Sequence, residues 1–398
     1  MMMRVPYALS VYGDEEINAV VNVLKEHRTI LGKETTIFEE NIARLFGKNY
    51  GVMVNSGSSA NLLAVEILGL EKGSEIVTPI LTFSTTVAPL IQKDLKPVFV
   101  DVEQGTYLID IKLAVDAISK KTKALMVPSL LGNVPDYKKL GEVTSEDNIA
   151  LVEDSCDTLG AKIDGIPTGK FTDISTTSFY GSHIITAAGG GGAVCVNKED
   201  QFKKCKILRG WGRRSAIDEV EDIDKRFGIE LDGIQYDTKF VFEHVGYNML
   251  PLEISAAFGN IQLGRLENFS RIRNTNFSSL ISFFSDFKEF FILPKQADNI
   301  DTTWLAFPLT INENAPFDRV EIVRFLEEND IQTRPIFTGN ILKQPGFASI
   351  DRIEFGKDFP NANAIMKRGF VVGCNQGLTR EHIEYMKGIF SKFLDKFL

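Results

Sequence analysis

The chain has 398 residues, of which 44% are hydrophobic and 24% charged, and its formal net charge at pH 7 is −9. This length exceeds what one hydrophobic core usually fills, so we expect a large domain over residues 1–260 and a small C-terminal domain over residues 261–398. The acidic balance argues against nucleic acid or an anionic membrane as a partner. No apolar run is long enough for a signal peptide or a membrane span, which predicts a cytoplasmic protein.

Two helices are predicted near the N-terminus. Residues 14–26 carry acids in the first turn and apolar residues at helical spacing, which predicts a helix that faces the core. The apolar positions of that helix are Ile17, Val20, Val21 and Leu24. A second helix is expected over residues 36–46, where Gly47 would end it.

Residues 50–64 read as a short strand, a glycine turn and the start of a helix, with the sequence YGVMVNSGSSANLLA. The backbone N–H groups of a helix N-terminus, beside Gly57 and the hydroxyls of Ser58 and Ser59, would make a site for a phosphate dianion. The alternative is that Ser58 or Ser59 only caps the helix.

A β-α-β unit follows, with strands over residues 75–80 and 97–102 and a helix over residues 84–92. This order predicts a parallel sheet. Phe83 comes at the carboxyl end of the first strand, where open α/β sheets hold their ligands. A core phenylalanine is the alternative, because the chain has 29 of them.

Two later strands end in polar residues. Residues 149–154 end in Glu153 and Asp154, and strand alternation sends these two side chains to opposite faces. Either carboxylate could meet a ligand, or it could cap the following turn. Residues 174–180 form the next predicted strand, and a loop with His183 leads from it into a run of four glycines at residues 189–192, where the backbone can turn sharply.

These segments resemble the DegT/DnrJ/EryC1/StrS family of sugar aminotransferases, which bind pyridoxal phosphate (PLP). The resemblance covers nearly the full length. It rests on S-F-Y-G-S-H with the glycine run that follows, N-S-G-S-S-A-N, E-D-S-C and G-Y-N. It implies an α/β protein of PLP-dependent transferase fold type I (aspartate aminotransferase-like), with a large, mixed and mostly parallel sheet domain that binds PLP and a small C-terminal α/β domain.

The resemblance also implies roles for single residues. The implied cofactor-binding residues are Gly57, Ser58, Phe83, Asp154, Ser178 and Asn248. Phe83 would stack on the pyridine ring, and Asp154 would keep the ring nitrogen protonated so that the ring accepts electrons. Asn248 would reach the cofactor phosphate of a neighbouring subunit, which implies a homodimer with a shared active site.

His183 stands where the family carries the lysine that forms a Schiff base with PLP. The branch with histidine there resembles the sugar 3-dehydratases. This implies a nucleotide-linked 4-keto-6-deoxysugar as substrate, PLP and pyridoxamine phosphate (PMP) as cofactors, L-glutamate to regenerate PMP, and a place in deoxysugar or O-antigen biosynthesis. Histidine cannot form the stable link, but its ordinary pKa of about 6.5 suits proton transfer. We therefore expect His183 to act as base and then acid; a structural histidine is the alternative.

Two arginines are candidates for substrate binding. Arg213 lies in W-G-R-R and Arg334 in T-R-P-I-F-T-G-N, both similar to dehydratase segments; for Arg334 a solvated surface arginine is the alternative. Iron–sulfur relatives supply cluster cysteines after the W-G-R segment. This chain has none between Cys205 and Cys374, so we expect no iron–sulfur cluster. Because no C-x-x-C pair occurs either, no metal site is predicted.

Two other functions stay open at this stage. One is a sugar aminotransferase whose lysine comes from another position, with Lys170 the nearest upstream candidate. The other is a catalytically silent homologue that binds a nucleotide sugar or PLP. Ala188 stands where aminotransferases usually show an acid before the double glycine, and the sequence leaves the nucleotide open among GDP, CDP and dTDP.

Overall fold

The computed structural model describes residues 3–217 and 222–398. The strands of this part of the chain are β1 (Tyr50–Val54), β2 (Glu75–Pro79), β3 (Lys96–Val100), β4 (Thr122–Pro128), β5 (Ala150–Ser155), β6 (Lys162–Ile163), β7 (Ile166–Pro167), β8 (Ile174–Ser178), β9 (Gly192–Val196), β10 (Ile229–Leu231), β11 (Ile234–Tyr236), β12 (Phe291–Ile292), β13 (Ile300–Asp301), β14 (Phe307–Ile311), β15 (Thr333–Pro335), β16 (Ile353–Glu354) and β17 (Gly369–Val372).

The helices are α1 (Asp14–Lys25), α2 (Lys33–Phe46), α3 (Gly57–Leu68), α4 (Ser84–Gln92), α5 (Ile111–Asp116), α6 (Tyr137–Glu146), α7 (Glu199–Arg209), α8 (Ile223–Arg226), α9 (Glu253–Gly264), α10 (Leu266–Phe284), α11 (Arg319–Glu328), α12 (Pro360–Arg368) and α13 (Arg380–Leu394). Short 3-10 turns occur at Leu130–Gly132, Thr168–Phe171, Arg214–Ala216, Thr238–Phe240, Ser285–Phe287 and Ile341–Lys343.

A large sheet organises the molecule, in the strand order β1-β9-β8-β5-β4-β2-β3-β16. β9 runs antiparallel to β1 and β8, while the other pairings are parallel. The mixed, mostly parallel sheet expected from the sequence is therefore confirmed. The carboxyl ends of β1, β2, β5 and β8 share one edge, and the N-terminus of α3, which packs on these last two strands, follows the end of β1 at that edge.

A second sheet, in the order β12-β14-β17-β15, lies in the C-terminal part of the chain. The division at residue 260 stays a prediction, and three features cross it. α9 runs through the proposed boundary, β16 joins the large sheet beside β3, and Val5 pairs with Ile331. In the described residues no helix has the length and apolarity to cross a membrane.

The first predicted helix is confirmed, but its expected orientation is wrong. Ile17 and Leu24 are 48% and 49% exposed, whereas Glu16 and Val23 are buried. The carboxylate of Glu16 accepts a hydrogen bond from Nε2 of Gln262 (2.7 Å). This polar contact helps hold one side of α1 against α9 and leaves part of the apolar stripe facing outward.

The second predicted helix ends where expected, because Gly47 adopts a left-handed conformation (φ 64°) after Phe46. It begins earlier than expected. The buried carboxylate of Glu253 accepts the backbone N–H groups of Gly32 (2.9 Å), Glu34 (2.7 Å) and Thr35 (3.2 Å). A side chain more than 200 residues away thus caps α2, which the local sequence does not reveal.

Candidate active site

A cavity of about 360 Å³ opens at the carboxyl edge of the large sheet. Six predicted site residues line it: Gly57, Ser58, Phe83, Asp154, Ser178 and His183. They come from the start of α3, the start of α4, the end of β5, the end of β8 and the loop after β8. Parallel strands bring these ends together because their carboxyl ends meet at one edge.

The start of α3 forms one wall of the cavity. Its N-cap is Ser56, whose hydroxyl oxygen accepts the N–H of Ser59 (3.1 Å), so the alternative in which Ser58 or Ser59 caps the helix is wrong. Gly57 leaves no room for a side chain, because a Cβ atom there would lie 2.5 Å from Cβ of Ser178 and 2.8 Å from Sγ of Cys156. The start of α3 therefore approaches β8 closely, and its first N–H groups lie near Ser58 and Ser178, which line the cavity.

Asp154 lies on the cavity side of β5 and is buried. Its Oδ2 atom accepts hydrogen bonds from Nδ2 of Asn61 (2.8 Å) and Oγ1 of Thr86 (2.7 Å). Its Oδ1 atom accepts the backbone N–H of Cys156 at 3.2 Å. Three donors fix the carboxylate. Oδ1 accepts only one of these hydrogen bonds, so it keeps lone-pair capacity for a ligand.

Glu153 faces the other side of the sheet, as strand alternation predicts. Its oxygens accept the hydroxyls of Ser155 (2.6 Å), Ser175 (2.7 Å) and Thr172 (3.3 Å). Glu153 does not line the cavity, so the structure selects Asp154 from the two acids that the sequence left open.

His183 occupies the loop after β8. Its Nδ1 atom lies 3.3 Å from the carbonyl oxygen of Ser178. Because a carbonyl can only accept, this contact places the proton of the neutral ring on Nδ1 and leaves the Nε2 lone pair available. Burial lowers the pKa of His183 to about 4; the contact with Ser178 and the charge of Asp154 oppose this, and the charge of Arg273 adds to it.

Two phenylalanine rings line the cavity. Phe83 is the residue before α4, and its ring meets that of Phe337 edge to face, with 6.0 Å between the centroids. Phe83 is half exposed, so it is not the core phenylalanine that the sequence also allowed. The hydroxyl of Thr338 donates to the carbonyl of Thr82 (2.6 Å), which ties the loop carrying Phe337 to the end of the strand before Phe83.

Several residues that line the cavity were not predicted from the sequence, and four of them carry ionisable groups: Tyr7, Cys156, Asp157 and Tyr180. Burial raises the pKa of Asp157 to about 7; the N–H of Leu131 opposes this rise and the charge of Asp154 adds to it. Burial also raises the pKa of Tyr7. Asp157 could have been suggested from the sequence as a site residue, because it follows Asp154 by only three residues. Nothing in the local sequence connects Tyr7 with this cavity.

Three predicted site residues lie outside the cavity within one chain. Asn248 is exposed and forms a backbone bridge with Gly210. The guanidinium of Arg213 lies 4.2 Å from the ring centroid of Trp211. Arg334 is exposed, but its guanidinium lies 5.7 Å from the ring centroid of Tyr7, which lines the cavity. The roles of these three residues stay predictions.

No lysine occurs among the described residues that line the cavity. Lys170, the alternative lysine, packs instead against Gly47, where an added Cβ would lie 2.8 Å from its Cε. Across residues 3–217 and 222–398, no three His, Cys, Asp or Glu side chains are grouped to hold a metal ion.

The cavity residues fit the chemical parts of PLP. The α3 terminus, Gly57 and Ser178 offer donors and space for a phosphate, and Asp154 offers a fixed carboxylate for a pyridinium nitrogen. Phe83 offers an exposed ring face beside them. This fit rests on the close approach at Gly57 and on the ordered donors around Asp154, both found within the described chain.

The chain matches the DegT/DnrJ/EryC1/StrS aminotransferase family over residues 11–390. It is 37% identical over 401 residues to the lipopolysaccharide biosynthesis protein RfbH of Salmonella typhimurium, an alignment that covers 98% of this chain and 91% of RfbH. It is 35% identical over 399 residues to the dTDP-4-dehydro-2,6-dideoxy-D-glucose 3-dehydratase of Saccharopolyspora spinosa, covering 97% of this chain and 86% of that protein.

Among solved structures, the fold is similar to that of a GDP-4-keto-6-deoxymannose-3-dehydratase with a trapped PLP-glutamate geminal diamine. The TM-score is 0.88 at 30% sequence identity, and the superposition covers 97% of this chain and 99% of the other. This coverage means that nearly the whole chain has a counterpart in that structure.

Proposed function

The chain belongs to the DegT/DnrJ/EryC1/StrS aminotransferase family, and on that premise we propose that it is a PLP- and PMP-dependent 3-dehydratase of nucleotide-linked 4-keto-6-deoxysugars. The observation that carries the proposal is the cavity itself. It presents the imidazole of His183 where the family carries a lysine, and no lysine lies among its described lining residues. A neutral imidazole can move protons but cannot anchor the cofactor covalently.

The residues around the cavity would divide the work of binding. The start of α3, with Gly57 and Ser58, and the hydroxyl of Ser178 would hold the cofactor phosphate. Asp154, fixed by Asn61 and Thr86, would hold the ring nitrogen in its protonated form. When bound, the cofactor supplies an electron-accepting ring and an amino group, which together allow the C3 hydroxyl of a 4-ketosugar to leave.

His183 would move the proton in this reaction. Its Nδ1–H is directed to the carbonyl of Ser178, so Nε2 is the atom that takes and returns a proton. Because burial lowers the pKa of His183 to about 4, the ring is neutral and basic at pH 7. Once protonated, a ring with a lowered pKa gives its proton up readily, which suits delivery to the departing hydroxyl.

The substrate class follows from the relatives. One is named for 3-dehydration of a dTDP-linked sugar, and the structural neighbour is named for 3-dehydration of GDP-4-keto-6-deoxymannose and holds PLP with glutamate. We propose a reaction like that of the GDP-linked enzyme, with L-glutamate regenerating PMP. The similarity to a lipopolysaccharide biosynthesis protein supports a role in deoxysugar or O-antigen biosynthesis.

A homodimer with shared active sites is part of the proposal. Apolar side chains face outward at Ile17, Leu24 and Ile30 near the N-terminus and at Val245, which is 96% exposed. Exposed apolar surface of this kind is typical of an interface. Asn248, three residues after Val245, is exposed rather than directed into the cavity of its own chain, which is consistent with a role in the partner's site.

A cytoplasmic location is also proposed. All four cysteines are free, and the described helices include no membrane span. Free cysteines are typical of proteins in a reducing compartment.

Mass spectrometry of the reaction products tests the function. The protein is incubated with PLP, L-glutamate and a panel of GDP-, CDP- and dTDP-linked 4-keto-6-deoxysugars. We expect at least one GDP-linked sugar to exchange its C3 hydroxyl for hydrogen, so that the product is lighter by one oxygen atom, in a reaction that consumes glutamate and releases ammonia and the corresponding 2-oxo acid. An amino sugar as the main product would favour the aminotransferase alternative, and no product from any sugar would favour a silent homologue.

The variant His183→Lys tests the missing covalent link. Borohydride reduction in the presence of PLP should leave the mass of the wild-type polypeptide unchanged, because none of the described residues that line its cavity is a lysine. The same treatment should add the cofactor to His183→Lys, which should also lose dehydration. Full dehydratase turnover in His183→Lys would contradict the role given to His183.

Subunit complementation tests the shared site. His183→Asn and Asn248→Ala chains are each assayed alone and then after mixing and reassociation. If Asn248 serves the partner's cavity, each heterodimer of the two variants has one intact site and one doubly altered site. About half of the dimers in the mixture are heterodimers, so the mixture should regain roughly a quarter of wild-type activity. A mixture no more active than its components, or a monomer by light scattering, would contradict the shared site.

A further inference from the structure

Arg273 is a fully buried arginine in α10, directly behind the histidine loop. Its Nε atom donates to Oε1 of Gln376 (2.6 Å), and one terminal nitrogen donates to the carbonyl oxygens of Trp304 (3.3 Å) and Leu305 (2.9 Å). The other terminal nitrogen donates to the carbonyl oxygen of His183 (3.4 Å). One guanidinium therefore joins three C-terminal segments to the backbone of the candidate base.

Gln376 makes a second link to the same loop. Its Nε2 atom donates to the carbonyl oxygen of Ile184 (3.3 Å), while its Oε1 atom accepts from Arg273. Consecutive carbonyl groups of the histidine loop are thus held by side chains that lie about 90 and 190 residues later in the chain. A planar guanidinium can hold several acceptors in fixed directions, which a lysine cannot do.

The charge of Arg273 is the unusual part of this arrangement. The hydrogen-bond acceptors that the described chain gives it are all neutral, namely backbone carbonyls and the amide of Gln376. Burying a cation without a carboxylate is costly. A neutral amide side chain could make a purely structural link of this kind. The positive charge of Arg273 therefore needs another explanation.

The guanidinium contacts the backbone carbonyl of His183, and its charge disfavours a second cation on the imidazole of the same residue. Asp154 is the acid that opposes this effect, since its charge favours the protonated ring. The other ionisable groups at the same cavity are Asp157, Cys156, Tyr7 and Tyr180. Tyr180 comes from the histidine loop itself, and its ring lies 5.9 Å from the imidazole.

We propose that Arg273, together with Gln376, is a positioning residue for His183: it fixes the loop that carries the imidazole and favours the neutral, basic form of the ring. The inference rests on the proposed function in so far as it makes His183 the base. It adds that correct placement of the base depends on the C-terminal part of the chain, because the links to residues 183 and 184 come from α10 and from the segment before α13.

Nuclear magnetic resonance of labelled histidines tests the charge effect without cofactor or substrate. The chain has only four histidines, and His183→Asn identifies the signal of His183. In the wild type this signal should titrate near pH 4. In Arg273→Met and in Gln376→Glu, which places a carboxylate against the guanidinium, the pKa of His183 should rise by about one unit. Arg273→Lys, which keeps the charge, should titrate like the wild type.

Kinetics test the positioning effect. Arg273→Lys and Arg273→Met should each lower kcat for dehydration about tenfold or more, with KM changed much less, because the held loop geometry is lost. The matched control is Arg271→Met, on the same helix, where the arginine is exposed and bonds only to Asn268 in the described chain. It should match the wild type in both measurements.

An unchanged His183 titration in Gln376→Glu and Arg273→Met, with unchanged kcat, would overturn the proposal. Should Arg273→Met fail to fold, Gln376→Glu gives the decisive measurement. The two proposals fail separately: if no ketosugar loses its C3 oxygen but the titration shifts as expected, the proposed function fails and the effect of Arg273 on His183 stands.

Discussion

Glu153 and Asp154 are neighbours in β5 and carry the same chemical group, yet they build two different regions. On the far side of the sheet, the carboxylate of Glu153 is surrounded by three hydroxyl donors and has no solvent exposure. On the cavity side, Asp154 receives two side-chain donors on one oxygen and a single longer backbone contact on the other.

The difference shows how a structural acid is distinguished from a functional one. The hydroxyls around Glu153 are satisfied within the chain, and nearby Lys48 also donates to the backbone carbonyls of Thr172 and Asp173. That region is closed. Around Asp154 the donors orient the carboxylate but leave it able to accept from a ligand, so the polar groups there are arranged for something that the chain itself does not supply.

The largest expected effect is that of Asp154→Asn. An amide has the same shape but cannot hold a ring nitrogen in its protonated form, so kcat for dehydration should fall on the order of a thousandfold. The melting temperature should change little, because Asn61 and Thr86 can still donate to the amide oxygen. A loss of less than about threefold would remove Asp154 from its proposed role.

Gly57→Ala tests the proposed phosphate site at the start of α3. The new Cβ would lie 2.5 Å from Cβ of Ser178, so the helix terminus must move away from β8. We expect the apparent Kd for PLP to rise about tenfold or more, measured by fluorescence titration. Gly264→Ala is the matched control at the end of α9, where an added Cβ has nothing within 4 Å. Equal affinities for the two variants would contradict a phosphate site at Gly57.

Glu153→Gln tests the region around Glu153, whose hydrogen-bond partners all come from the described chain. An amide would place an N–H donor among three hydroxyl donors, and the free energy of unfolding should fall by about 1–3 kcal/mol. Turnover per folded molecule should stay near the wild-type value. Urea denaturation and an assay below the transition measure both quantities. A variant that unfolds like the wild type but loses turnover would reverse the assignment of the two acids.

The smallest effect is the pH dependence of kcat/KM. Because the pKa of His183 is lowered to about 4, the basic form of its ring is lost only as the pH falls through about 4. Activity limited by this residue should therefore be level from about pH 5 to pH 8 instead of declining below about pH 6.5. A half-maximal rate near pH 6.5, absent in His183→Asn, would show that the imidazole is not shielded as the structure indicates.

Much of the site could be predicted because its signals are local in the sequence. Asp154 lies at the end of a buried strand, Gly57 and His183 come shortly after one, and parallel topology brings such positions to one edge. Strand alternation predicted that Glu153 and Asp154 face opposite sides of the sheet, while the choice of Asp154 came from the resemblance and from the cavity lining. Tyr7 and Arg273 gave no comparable signal, since each reaches the site from a distant part of the chain.

The sequence by itself therefore determined the strands and helices that carry the site, the glycine turn before α3 and the identity of the histidine that stands where the family carries a lysine. Only the tertiary structure decided that Ile17 and Leu24 face outward, that Glu253 starts α2, and that a buried guanidinium holds the histidine loop. The physical reason is the same in each case. Periodicity records which residues share a face of one element, whereas burial and hydrogen bonding depend on elements that meet only when the chain is folded.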